Sequence, residues 1–224
     1  MDAPQPFLPK KGNYKQLLAY QKAECVYDIT FYFAHKYLQK GDRTIDQMVQ
    51  AARSGKQNIA EGSAAASTSS ETELKLMNVA KASLHELLVD YEDYLRVRGL
   101  EQWQLNDKRT RAAQEFCSTH NTSSEYMAII EPRTDEPAAN IAITLIHQTD
   151  VMLRRLIERL EKDFVEQGGI RERMTAARLG YRQGQKTEIA NLKQENERLK
   201  TRIAWLEAQL ANATAPQQPP PPGQ

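Results

Sequence analysis

Apolar residues recur three and four positions apart along most of the chain, which is the period of a helix face and not of a strand. The narrowest such seam is Ile45, Met48, Ala52, Gly55 and Ile59. Two of its members are small, so a neighbouring helix backbone can come close there. The run reaches Glu61-Gly62 and passes into Ser63–Ser70, a segment of Ser, Ala and Thr only. Gly62 is therefore predicted to be the left-handed residue that ends this helix, with Ser63–Ser70 as a linker.

The same period predicts three more long helices. The first spans Tyr14 to about Gln39, capped by Asn13, with Leu18, Val26, Ile29, Phe33 and Tyr37 on its apolar face and Gly41 past its end. Asp42 caps the second, which carries the seam. The third starts at Ser70, where Ser70-Glu71-Thr72-Glu73 reads as a capping box, and runs Leu74, Met77, Ala80, Leu84, Leu87, Leu88, Tyr91, Leu95 down to Arg98-Gly99. Asp135-Glu136-Pro137 opens the fourth with a cap, an acid and a first-turn proline. Its core stripe is Ile141, Leu145, Met152, Leu156, Leu160 and Phe164, with Ile146, Leu153 and Ile157 beside it, and Gly168-Gly169 closes it. Between the third and fourth helices, 100–136 is weakly patterned. A short helix fits 107–116, and Tyr126–Ile130 is either a strand or a packed loop. A connection this long between helices is functional or partly disordered.

Past Gly169 the pattern changes. The 170–186 segment carries Arg171, Arg173, Arg178, Arg182 and Lys186 against one acid, Glu172, with Gly180 and Gly184 expected to interrupt it. Ile189, Leu192, Asn196, Leu199, Ile203, Leu206 and Leu210 then follow a strict heptad, with Ile189 at position a. Isoleucine at a, leucine at d and one Asn at a specify two parallel strands. Across such a dimer Glu188 faces Lys193, Glu195 faces Lys200 and Arg202 faces Glu207, all attractive pairs. The expected architecture is all-α: an up-down four-helix bundle over 13–169 and a basic connector over 170–186. A coiled coil over 187–211 and a disordered Pro-rich tail over 212–224 follow, and a flexible arm over 1–12 precedes the bundle.

Composition narrows function mainly by exclusion. The 224 residues carry a net charge of +1, so a protein that coats nucleic acid by overall charge is not expected, and the local excess at 170–186 matters more. No apolar run approaches the roughly 20 residues of a membrane span. Two distant cysteines, Cys25 and Cys117, suggest thiols in a reducing cytoplasm. His35, His85, His120 and His147 stand one per segment without a ligand partner at helical spacing, so no metal and no cofactor are expected. Cys117 and the serines of Ser63–Ser70 lack a discernible base, so no catalytic residue is assigned.

The blocks AARSGKQNIAEGSA and SSETELKLMNVAKASLHELLVDYEDYL resemble a bacterial four-helix-bundle family first noted in proteins encoded within ribosomal-RNA intervening sequences. The family's N-I-A-E-G helix end corresponds to Asn58, Ile59, Ala60, Glu61 and Gly62, and its small-Ser-Leu-x-Glu-Leu signature to Ala82–Leu87. The later run from Glu136 to Met174 looks like the subgroup that carries a suffix after the bundle. The resemblance spans roughly Tyr14–Leu179 and omits the heptads and the tail. It implies a small cytoplasmic homo-oligomer, commonly a pentameric ring, without enzymatic activity. It also implies a relation to the accessory variability determinants of diversity-generating retroelements, which bind RNA and a reverse transcriptase. A two-stranded zipper leaves one chain of a five-membered ring unpaired.

The leading expectation is a non-enzymatic oligomeric scaffold that binds RNA or another nucleic acid. Its contacts would be Arg171, Arg173, Arg178, Arg182 and Lys186, with Tyr181 as a stacking ring and Arg154, Arg155 and Arg159 extending the patch. The alternative is a protein–protein adaptor that recruits a partner through the zipper and the proline tail. Asn58–Gly62 is expected to be structural.

Overall fold

The computed structural model describes residues 13–214; the N-terminal arm and the tail from residue 215 lie outside them. Among the described residues there are seven α-helices and no strand: α1 (Leu18–Tyr37), α2 (Arg43–Ala65), α3 (Ser70–Val97), α4 (Lys108–Thr119), α5 (Ser123–Ile130), α6 (Asp135–Gln167) and α7 (Ile170–Thr214). The chain divides into two compact units between Arg173 and Met174.

In the first unit α1 packs on α2 and α6, and α3 packs on α2 and α6, so these four helices close around one core. Phe33, Ile29, Met48, Ile59, Met77 and Leu87 are fully buried there. Tyr91 is buried too, and its hydroxyl donates to Thr30 Oγ1 at 3.1 Å while Thr30 donates to the Val26 carbonyl at 2.7 Å. That chain leaves no polar atom of the pair unsatisfied, as a core site requires. The expected stripe of α6 is buried at Ile141 and Leu145, and beyond them the buried face runs beside it. Leu145, Ile146, Leu153 and Ile157 are buried with Ala138, Ala139, Ala142 and Thr149, whereas Met152, Leu156 and Leu160 are half-buried and Phe164 is exposed.

Several expected boundaries move. Asn13 caps only a 3-10 turn, Tyr14–Gln16, and α1 begins after an extended Leu17. α2 does not stop at Gly62 but continues to Ala65, and Gly62 keeps helical backbone. Its missing side chain serves close approach instead: a Cβ there would lie 3.0 Å from Met77 Cε and 3.3 Å from Leu76 Cβ. The cap of α3 is Ser69, whose Oγ accepts from Thr72 N at 3.1 Å; neighbouring serines make the choice invisible in sequence. Thr134, not Asp135, is the cap residue of α6. The helix ends at Gly41 and Gly99 do take positive φ, 92° and 65°, as expected.

The 100–136 connection is folded. It holds α4, packed on α6, and α5, packed on α1, so Tyr126–Ile130 is helix and neither strand nor loop. Gly180 and Gly184 do not interrupt α7, which runs unbroken through the expected connector, the heptads and the start of the tail. No helix among the described residues is long and apolar enough to cross a membrane.

Candidate nucleic-acid interface

The basic segment is helix throughout. Arg178, Arg182 and Lys186, four residues apart, form one ridge of the second unit, and all three are exposed. No acid lies between Glu172 and Glu188, so this ridge has no carboxylate on its own stretch of helix. Tyr181 is 66% exposed, and its hydroxyl accepts from Gln185 Nε2 at 3.1 Å. Arg171 and Arg173 belong to the first unit; Arg171 is exposed, and Arg173 is half-buried with its Nε lacking a hydrogen-bond partner.

The three arginines of α6 are divided among other tasks. Arg154 pairs with Asp150 at 3.0 Å on its own helix. Arg159 is close enough to Glu73 to oppose the upward shift that burial gives that carboxyl. Arg155 lines a cleft of about 930 Å³ between α4, α6 and the stretch 102–105. The heptad side chains Ile189, Leu192, Leu199, Ile203, Leu206 and Leu210 are each 49–67% exposed, and Asn196 lies among them. Within one chain the heptad acids take local partners, Lys200–Glu197 at 2.8 Å and Arg198–Glu195 at 3.5 Å.

The family-like motif is packing. Asn58 Nδ2 donates to the Ser54 carbonyl at 2.9 Å, and Ser54 Oγ bonds Ser83 Oγ of α3 at 2.9 Å. Ile59 and Gly62 are buried, Ala60 is half-buried and Glu61 is exposed.

Three features escape sequence reasoning. Lys22 is fully buried on α1 and donates to the carbonyls of Cys117 and His120 and to the Tyr126 hydroxyl. Its three donors meet three acceptors at the end of α4, where the helix dipole favours a cation. Burial nonetheless pulls its pKa below the usual lysine value. On the outer side of α1, Tyr27, Phe31 and His35 form a ladder with ring centres 6.3 and 4.3 Å apart, beside Lys36. Finally, the cleft that Arg155 lines contains two buried polar atoms without partners, Trp103 Nε1 and Gln148 Oε1. Asn140 fixes that Trp, accepting from Trp103 N and donating to the Glu101 carbonyl, each at 2.8 Å. The spacing of i, i+4, i+8 aromatics was a readable signal for the ladder; nothing in the sequence marks Lys22 or the cleft.

The chemistry of a nucleophile is poorly supplied. Cys25 and Cys117 are free and buried, and burial raises both thiols, Cys25 to about 11. Among the described residues no group of three or more His, Cys, Asp or Glu is placed to hold a metal ion. No family model, no curated protein and no solved structure matches the chain.

Proposed function

We propose that this all-α protein is a non-enzymatic oligomeric scaffold whose basic segment, 170–186, binds RNA or another nucleic acid. The observation that carries the reading is the exposed, acid-free ridge Arg178–Arg182–Lys186 on the same helix as an exposed heptad seam. A run of cations without neighbouring carboxylates is an electrostatic footprint for phosphate. In this reading α1, α2, α3 and α6 are the up-down four-helix bundle of the family that the sequence resembles, and the protein works in the cytoplasm. Copies join through the heptads as a parallel dimer, and the bundle is the surface through which a larger ring, such as a pentamer, would form.

The exposed heptads equally favour a second reading, an adaptor whose seam takes a helix of another protein and whose proline tail adds a contact. Salt separates the two. Neutralising a phosphate releases condensed counterions, so scaffold affinity for RNA falls steeply with salt, with a log–log slope of about −0.7 to −0.9 per phosphate contact. Replacing Arg171, Arg173 and Arg178 together by Gln flattens that slope. RNA binding that is absent or independent of salt leaves the adaptor.

A further inference from the structure

From the unbroken helix α7 we infer that the dimer is a fork: two basic arms diverge from the zipper and straddle the major groove of B-form duplex DNA. The inference rests on the nucleic-acid reading above and narrows it to one ligand. Three observations carry it.

The first is continuity. The helix that bears the heptads extends without a break through Gly184 and Gly180 into the basic segment, so the zipper fixes the direction in which the arms leave it. The second is register. Counting back from Ile189 at position a, Gln185 and Arg178 fall at d and Arg182 falls at a. The seam that is apolar from Ile189 onward therefore becomes polar and cationic upstream, on the same face. In a parallel dimer Arg182 would oppose its own copy. Two unpaired cations at a contact distance repel, so the seam opens there and the arms separate. Their inner faces carry Arg178 and Arg182, with Lys186 at the flanking e position. The outer faces carry Ala176, Ala177, Gly180 and Gly184. The third is charge: the separating stretch holds no acid, and the side chains on its inner faces are exposed.

A cationic space between two diverging helices fits a linear polyanion about as wide as the opening. Continuous basic helices forking from a parallel coiled coil straddle duplex DNA in this way. The form of the duplex is also constrained. The major groove of B-DNA admits an α-helix, whereas that of A-form RNA is too deep and narrow for one. Single strands have no groove to straddle.

The test uses the full chain and short labelled nucleic acids of equal length, as duplex DNA, duplex RNA and single-stranded DNA, followed by fluorescence anisotropy. Three cations on each of two arms predict about a thousandfold loss of duplex-DNA affinity between about 50 and 200 mM salt. Leu199→Glu, which breaks the seam without touching an arm, removes the zipper's step of assembly by sedimentation, lowers duplex-DNA affinity at least tenfold and halves the salt slope. Deletion of 187–224 does the same. The fork is overturned if either zipper-broken variant binds duplex DNA as tightly as the intact chain. It is also overturned if duplex RNA or single-stranded DNA binds as tightly as duplex DNA. In both cases the basic segment still binds nucleic acid and the broader reading stands. If no nucleic acid binds at all, the broader reading falls with it.

Discussion

Gly55 of α2 lies directly beneath Leu84 of α3: a Cβ built on the glycine would sit 2.7 Å from Leu84 Cδ2 and 2.8 Å from its Cγ. Leu84 is 1% exposed and has little room to yield. Ala favours a helix over Gly by about 1 kcal/mol, but overpacking a filled core costs about 1–3 kcal/mol. Gly55→Ala is therefore expected to destabilise the protein by up to about 2 kcal/mol in urea unfolding. At Gly62 the nearest obstacle is the tip of the flexible Met77 side chain at 3.0 Å, so Gly62→Ala is expected to be nearly neutral. Equal losses at the two positions would contradict this account of the seam.

Lys22 is the pin that holds the α4–α5 segment to α1. Replacing it by Met removes a buried cation, which relieves desolvation, but it strips the Cys117 carbonyl of its strong donor. His120 keeps the Tyr126 hydroxyl at 3.1 Å. Hydrogen bonds to a charged group contribute about 1.5–3 kcal/mol each, so a net loss of about 1–3 kcal/mol is expected for Lys22→Met. The loss should be local. Hydrogen exchange is expected to quicken across α4 and α5 while α2 and α3 stay protected; uniform loss of protection would show that Lys22 is no local pin.

This pin also explains what the sequence hides. The long helices were legible because Met77, Leu84, Leu87 and Tyr91 face one core at a steady period. α5 is ambiguous in sequence because eight residues are too few to show a period: Tyr126 and Ile130 bury in the core, while Lys22 and Ser123 Oγ to Asp28 add polar ties that no apolar pattern reveals. Gly62 reads two ways in sequence because glycine signals both left-handed backbone and close approach, and only the position of Met77 decides between them. Gly180 and Gly184 were expected to break a helix, yet each lacks only a side chain and keeps its hydrogen-bonding groups. At the basic segment the sequence shows the residues and their charge. The unbroken helix that sets their common register is visible only in the fold.

Alkaline pH should unfold the protein. Burial raises Cys25 from 9.0 to about 11 and Tyr20 from 10.0 to about 12, and it raises Cys117 as well. The folded chain holds these protons more tightly than the unfolded chain, so their contribution is complete below about pH 9 and is lost as pH climbs toward 11–12. Lys22 acts in the opposite sense. Its folded pKa lies below 10.5, so its penalty fades as pH rises to that value. A two-unit shift such as that of Cys25 corresponds to about 2.7 kcal/mol, and the Tyr20 and Cys117 protons act in the same direction, against the single relief at Lys22. Urea midpoints are expected to fall between pH 9 and 12 (roughly the window of these shifts), and less so in Cys25→Ala. A thiol reagent at mildly alkaline pH should label neither cysteine until denaturant is added.

The heptad helix offers the sharpest control over assembly. In the proposed parallel dimer Asn196, exposed in the single chain, would bury a polar group at an a position and so weaken association while restricting it to two strands in register. Asn196→Ile is expected to tighten self-association and to admit higher species, seen as a heavier, broader distribution in sedimentation velocity. The charges flanking the seam make a second, independent lever. Lys200 pairs with Glu197 at 2.8 Å within one chain, and in a parallel dimer it also faces Glu195 of the second copy. Exchanging Lys193 and Lys200 for Glu sets like charges across the seam at four places. At about 0.2–1 kcal/mol for each exposed pair, with the sign reversed, dissociation of the dimer should rise by at least tenfold, and high salt should mask much of the change. The intrahelical pairs alone predict no such dependence, because breaking them alters one chain and leaves its affinity for a second unchanged.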